Sequence, residues 1–184
     1  ATINAAKQEL LTGLTGLLNV KIPLINTITK SGTLVIGTLS SPAIIKLGLG
    51  KKISQVGQEG FIIVSKIING KSCTVITALS DAGVLYGVFH FLRLLQTQQP
   101  IKTLDISSSP SMKLRMLNHW DNLNRTVERG YAGFSIWNWH KLPGYIDKRY
   151  VDYARANASI GINATVLTNV NANATILTET YLQK

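Results

Sequence analysis

Between positions 118 and 122 the chain reads Asn118-His119-Trp120-Asp121-Asn122, an imidazole, an indole, a carboxylate and two amides in five residues. The chemistry this set suits is carbohydrate binding. An indole face stacks on a sugar ring, while amides and a carboxylate offer the donors and acceptors that hydroxyls need. Trp120 is the candidate stacking residue, and Asn118, Asp121 and Asn122 are candidates for binding the sugar or ordering its pocket. The competing reading is a polar loop whose Asn and Asp side chains satisfy nearby backbone groups.

Two further clusters follow. Glu128-Arg129-Gly130-Tyr131-Ala132-Gly133 leads into Trp137 and Trp139, so all three tryptophans fall in residues 120–139. A loop of this kind is a self-packed lid or a sugar platform. Glu128 and Arg129 either reach sugar hydroxyls or pair with each other to order the loop. In Asn169-Val170-Asn171-Ala172-Asn173, strand alternation points Asn169 and Asn171 to one side if a strand extends that far, whereas an Asn-rich strand end also caps and turns. Other chemistries lack their residues. His119 and His140 have no third partner at metal-ligand spacing, so no metal is expected. His90 lies in an apolar helical stretch as a satisfied, partly buried histidine. Gly48-Leu49-Gly50 ends a helix and is no phosphate loop, and there is no Gly-x-Ser-x-Gly elbow. No cofactor is expected.

The elements that must position these residues change character near Pro110. Residues 4–18 predict a helix with Leu10, Leu11, Leu14, Leu17 and Leu18 on one buried face, although Gly13 and Gly16 count against it. Residues 33–39 predict a buried strand, and Ser41-Pro42 starts a short helix running to about Leu49. Asn69-Gly70 between residues 60–68 and 72–79 predicts a β-hairpin. Residues 82–95 predict a helix capped by Asp81 and apolar nearly all round, which requires cover on two sides. Ser107-Ser108-Ser109-Pro110 reads as a loop and a domain boundary. Beyond it come a strand (113–118), a long loop (119–143), a helix (147–158), a strand (162–169) and a helix capped by Thr178. Strands alternating with helices favour a parallel sheet. A long loop after a strand is what a (β/α)₈ enzyme places at its active face, but such a barrel takes about 250 residues.

The composition excludes some function classes. A net charge of +10 invites a polyanion partner, but the excess is spread evenly. Ten basic residues stand against four acidic over 1–109, and nine against five over 110–184. No basic run exceeds two residues, as in Lys51-Lys52, so no nucleic-acid partner is expected, while an evenly basic surface favours acidic substrates. No apolar run reaches the roughly 18–20 residues of a membrane span, and no membrane partner is expected. A lone Cys73 among apolar neighbours is a buried thiol. Sequons at Asn124, Asn157, Asn163 and Asn173, without a signal-peptide pattern, leave the compartment open between cytoplasmic and extracellular or periplasmic. The chain opens on Ala1, as an internal fragment would.

With these residues in view, the chain resembles α-glucuronidases of glycoside hydrolase family 67. The likeness rests on Arg115-Met116-Leu117 running into Asn118 to Asn122, on Glu128 to Gly133, and on Ser135-Ile136-Trp137. It continues through Asp152-Tyr153-Ala154-Arg155, Asn157-Ala158-Ser159, Gly161-Ile162-Asn163 and Asn169 to Ala172. Upstream, Gly83 to Leu95 is similar to the helix that closes the family's N-terminal domain. Asn124 and Ala164 depart from the family, which more often has Asp and Gly there.

The resemblance implies an α/β fold, with a small α/β domain over 1–106 and the first two βα units of an incomplete (β/α)₈ barrel over 111–184. It implies release of α-1,2-linked (4-O-methyl-)glucuronic acid from xylooligosaccharides with inversion, glucuronoxylan-derived oligosaccharides as partners, and a homodimer as one open assembly of the parent enzyme. The general acid and base are expected downstream of Lys184, so no catalytic residue is assigned within 1–184. The chain alone is then expected to be inactive, and residues 1–105 to be its better-ordered part. Asn118, Trp120, Asp121, Asn122, Glu128, Arg129, Asn169 and Asn171 are the expected substrate-binding residues. The alternative is a carbohydrate-binding module without catalysis.

Overall fold

Asn69 and Gly70 both take positive φ, 51° and 72°, the left-handed geometry of a two-residue hairpin turn. They join β2 (Phe61–Ile68) to β3 (Lys71–Ala78), antiparallel from the Phe61–Ala78 pair to the Ile68–Lys71 pair. β1 (Thr33–Thr38) runs parallel to β3. β4 (Asp105–Ser108) runs antiparallel along β2. The result is a mixed sheet in the order β1-β3-β2-β4. β4 corrects the expectation of a loop over Ser107 and Ser108. The outer edge of β2 needs hydrogen-bond partners, and an edge strand tolerates serine.

Period-2 alternation sends the two faces of β2 and β3 into two cores. Phe61, Ile63, Ile76 and Ala78 face α1 (Thr2–Leu18) and α4 (Asp81–Gln96). Ile62, Val64 and Val75 face α2 (Pro42–Ile45) and α3 (Gly50–Gln55), through Ile44 and Ile53. α4 is thus covered by the sheet on one side and by α1 on the other, which accounts for its nearly uniform apolarity. Cys73 is buried in β3. His90 of α4 is half-buried against the Phe61 ring, 5.3 Å away. Burial foremost, then Arg93, lowers its pKa, so it stays neutral at pH 7.

Three local expectations change. The helix from Pro42 breaks because Gly48 turns left-handed at φ 68°, dividing it into α2 and α3. The cap of α4 is Ser80, whose Oγ accepts the Gly83 amide at 3.2 Å. Asp81 sits in the first turn, and its carboxylate accepts the amide of Ile3. In α1 the buried row is Ala6, Leu10 and Leu14, while Leu17 and Leu18 are exposed, because one helix packed on another buries a narrow ridge.

Glycines allow the close packing of these layers. A Cβ on Gly83 would stand 2.4 Å from the Gly60 carbonyl oxygen, and one on Gly87 would stand 2.7 Å from Ile76. A Cβ on Gly16, at an exposed position of α1, would meet nothing within 4 Å. Gly83→Ala is expected to lower unfolding stability by roughly 3 kcal/mol, at the upper end for overpacking. Gly16→Ala is expected to raise it by about 0.5–1 kcal/mol. Denaturant titration of both variants checks the opposite signs.

The structure, a computed structural model, describes residues 1–184 and divides into two units, Ala1–Ser111 and Met112–Lys184. In the second unit β5 (Met116–Asn118) and β6 (Ala164–Val166) lie parallel, with Met116 opposite Ala164 and Asn118 opposite Val166. α5 (Lys148–Ser159) lies between them in sequence, and the Asp147 carboxylate caps it by accepting the Arg149 amide. Arg115 braces the start of the pair. Its Nε donates to the Gly161 carbonyl at 2.6 Å and its Nη1 to the Met112 carbonyl at 2.6 Å. The Asn163 amide group returns a bond to the Lys113 carbonyl. Both strands are shorter than expected because each has one neighbour to pair with. A 3₁₀ turn (Ala174–Leu177) precedes α6 (Glu179–Leu182). The Thr178 hydroxyl does not cap α6 but donates back to the Thr175 carbonyl.

Candidate functional site

The parallel pairing brings the carboxyl ends of β5 and β6 side by side, and residues 118–122 leave from one of them. Backbone bonds tie that segment down. The His119 amide donates to the Val166 carbonyl at 2.9 Å, the Glu128 amide to the Trp120 carbonyl at 2.5 Å, and the Asn169 amide to the Asp121 carbonyl at 2.8 Å. Residues far apart in sequence therefore meet at one place: the end of β5, the turn at Glu128, and the segment after β6.

Their side chains have different roles. Asn118 and Arg129 are exposed, and Trp120 is 44% exposed. Asp121 is 4% exposed. Asn122 spends its Nδ2 within the loop, on the Thr126 hydroxyl at 3.0 Å and the Glu128 carbonyl at 2.8 Å. Glu128 holds the left-handed turn at φ 50°. Its carboxylate accepts the Tyr131 hydroxyl at 3.1 Å, so the Arg129 pairing considered from sequence is replaced by a tyrosine. That hydrogen bond, and then the charge of Glu128, raise the Tyr131 pKa. Asn169 is buried, and its Oδ1 accepts the Asn171 amide at 2.8 Å. This is the cap-and-turn alternative, since β6 ends at Val166 and cannot carry strand alternation to Asn171.

The tryptophans divide. Trp137 and Trp139 are buried at 8% and 6% exposure. Trp137 packs against Tyr150 at 4.9 Å with the rings tilted by 36° and meets Tyr153 edge-on at 5.3 Å, while Trp139 lies 6.0 Å from Tyr181. These two pack the loop against its own unit, and only Trp120 presents an indole to solvent.

His119 and Tyr153 were not assigned from the sequence. His119 Nε2 lies 2.7 Å from the Tyr153 hydroxyl, and its Nδ1 lies 3.7 Å from the Asp121 carboxylate. The signal was present in α5, where Tyr150, Tyr153 and Asn157 fall at helical spacing on one face, with Asn157 buried. No group of three or more His, Cys, Asp or Glu side chains converges to hold a metal ion. No helix is long and apolar enough to cross a membrane.

Known proteins match along the whole chain. The family model described as glycosyl hydrolase family 67 N-terminus matches residues 1–91, and the one described as its middle domain matches residues 94–184. The junction of the two models falls within α4, whereas the compact units divide after Ser111, because β4 pairs with β2 and stays with the first sheet. Alpha-glucuronidase A of Emericella nidulans is 34% identical over 96% of this chain and 21% of its own length. A probable alpha-glucuronidase A of Aspergillus terreus is 44% identical over 54% of this chain and 12% of its own. The chain thus spans about a fifth, or less, of the length of these curated relatives. Among solved structures, one described as a GH138 enzyme targeting pectin rhamnogalacturonan II aligns with TM-score 0.56 at 19% identity, over 92% of this chain and 22% of that one; at this identity the likeness speaks for the fold alone. With its two halves matched by the N-terminal and middle domains of one family, this chain belongs to glycosyl hydrolase family 67.

Proposed function

We propose that this chain is the front part of a xylan-degrading α-glucuronidase and supplies one wall of its uronic-acid site. The parent would hydrolyse α-1,2-linked (4-O-methyl-)glucuronic acid from xylooligosaccharides with inversion. One carboxylic acid would protonate the leaving oxygen and a second carboxylate would activate water, both from chain beyond residues 1–184. Residues 112–184 would be the opening two βα units of a (β/α)₈ barrel. The parallel β5–β6 pair with α5 between them supports this, as do the exposed Met116 (41%) and Leu117 (40%), apolar side chains on the faces of the pair that the rest of a barrel would cover.

The observation that carries the reading is the exposure of Trp120 between two tied-down neighbours at the joined strand ends. In a sugar complex Trp120 would stack, Asn118 and Arg129 would reach hydroxyls, and Asn171 would flank them. Asp121, Asn122, Glu128 and Asn169 would order the wall. The test is titration of the chain with aldobiouronic acid, followed by backbone amide resonances and, in wild type, the indole N–H of Trp120. Trp120→Ala is expected to weaken binding about three- to tenfold, the worth of one stacking contact. Equal binding of neutral xylobiose would favour a binding module without uronic-acid preference. Unchanged affinity in the variant would remove Trp120 from the site.

A further inference from the structure

We propose that His119, Asp121 and Tyr153 form one positioning unit that fixes the outward orientation of Trp120, and that of the two tautomers of the His119 ring the one protonated on Nδ1 is selected. This deepens the sugar-site reading and rests on it for its consequence in binding; the unit itself rests on geometry.

Successive side chains of an extended segment point to opposite sides. The side chains of His119 and Asp121 are 21% and 6% exposed, and Trp120 between them faces out. The backbone bonds of residues 119–121 fix where this tripeptide lies. The side chains beneath it decide which way it faces, because a half-turn of the segment would bring Trp120 in and expel the other two.

The inward side is specified by polar contacts. The buried Asp121 carboxylate meets His119 Nδ1 at 3.7 Å. A lone pair on Nδ1 would face that negative charge, whereas an N–H there would be attracted to it, so the carboxylate selects the Nδ1–H form. Nε2 is then an acceptor, and the Tyr153 hydroxyl, 2.7 Å away, donates to it. The Tyr153 oxygen is left to accept from the Thr165 hydroxyl at 3.5 Å, a long contact. The chain of contacts runs from Thr165 in β6, through Tyr153 in α5, to His119 at the end of β5 and on to Asp121. It links β5, α5 and β6. The rings add shape, since the imidazole is edge-on to Tyr153 at 5.3 Å and to Trp137 at 5.7 Å. A half-buried imidazole hydrogen-bonded through Nε2 and facing a carboxylate with Nδ1 is held in one orientation, because turning the ring would give up the hydrogen bond and set the wrong nitrogen toward the charge.

The roles are specific. Asp121 sets the tautomer, Tyr153 sets the ring, and neither needs to touch sugar. They are positioning residues, and their effect on a ligand passes through Trp120.

The experiment uses the 184-residue chain labelled with ¹⁵N. At mildly alkaline pH, where an ordinary imidazole is neutral, long-range ¹H–¹⁵N correlation of the His119 ring is expected to report Nδ1 protonated and Nε2 accepting. The opposite tautomer overturns the proposal, and this measurement needs no variant. Tyr153→Phe and Asp121→Asn are then expected to move the Trp120 indole cross-peak, assigned by its loss in Trp120→Phe. They should also change its quenching by a soluble paramagnet, while the Trp139 cross-peak and the amides of β2, β3 and α4 stay in place. Binding of aldobiouronic acid should weaken about three- to tenfold in Tyr153→Phe, the worth of one hydrogen bond. His119→Gln, whose amide reaches the position of Nε2, should restore more of the wild-type Trp120 signal than His119→Ala. An unmoved Trp120 resonance in both Tyr153→Phe and Asp121→Asn overturns the unit. If the expected tautomer and Trp120 shifts appear but wild type binds no aldobiouronic acid, the sugar reading fails and the positioning unit stands.

Discussion

The purified 184-residue chain is expected to release no glucuronic acid from aldobiouronic acid above the buffer rate, even on prolonged incubation at high protein concentration. Inverting hydrolysis needs two carboxyl groups about 6.5–9.5 Å apart, one a proton donor and the other an activator of water. Proton transfer by a positioned side chain contributes about 10²–10⁴-fold, so losing both functions leaves no measurable rate. All five carboxylates of residues 112–184 are engaged in structural contacts. Asp121 lies beneath His119, and Glu128 accepts from Tyr131. Asp147 caps α5, and Asp152 pairs with Arg155 at 3.5 Å. Glu179 accepts a short hydrogen bond from Gln183. Released uronic acid can be measured by anion-exchange chromatography. Release proportional to protein concentration, and lost in Asp121→Asn, would place the catalytic machinery inside this chain and refute the reading of it as one wall of a site.

A second large effect concerns stability. Amide hydrogen exchange is expected to be slowest in β2, β3 and α4 and far faster throughout residues 112–184. The first unit buries two apolar cores around a four-stranded sheet. Fully burying a large aliphatic side chain is worth about 1.5–3 kcal/mol. Here Ile62, Ile63, Val75, Ile76, Val84 and Val88 are all at 0% exposure. The buried hydrophobic residues of the second unit are Trp137 and Trp139. Its two three-residue strands leave both outer edges unpaired, and short open-edged sheets open locally. A gap of at least about 2 kcal/mol between the units, roughly thirtyfold in protection, is the expected outcome. Equal protection in β5, β6 and α5 would mean that the second unit is stabilised by something other than buried apolar surface.

Local chemistry made much of the fold readable in advance. Asn69-Gly70 specifies its turn because both residues accept positive φ, and the β-rich runs on either side fold back as the paired strands. The apolarity of residues 82–95 required a helix covered on two sides, and the sheet and α1 provide that cover. At β4 and along α1, where expectations changed, a non-local partner decided. β4 is a strand because β2 presents an open edge, although its serines read as a loop. Leu17 and Leu18 carry the right periodicity, but α4 covers only the ridge through Ala6, Leu10 and Leu14.

The same division holds at the site. The residues from Asn118 to Asn122, with those from Glu128 to Gly133, identify the family from sequence alone, because side-chain type and order are local facts. Their separate roles are not local. Trp120, Trp137 and Trp139 are the same residue type on one loop, and only the packing of Tyr150, Tyr153 and Tyr181 buries two of them and leaves Trp120 outside. Asn169 became a buried turn residue because β6 ends at Val166 and its amide bonds the Asp121 carbonyl. His119 has no role in a one-dimensional reading. It acquires one when parallel pairing places the end of β5 beside α5 and brings a tyrosine hydroxyl from thirty-four positions away within 2.7 Å. The sequence by itself determined the family, most of the elements and the inventory of side chains. The tertiary structure decided which of them face solvent and which hold the others in place, because burial and hydrogen-bond partnership depend on residues distant in the chain.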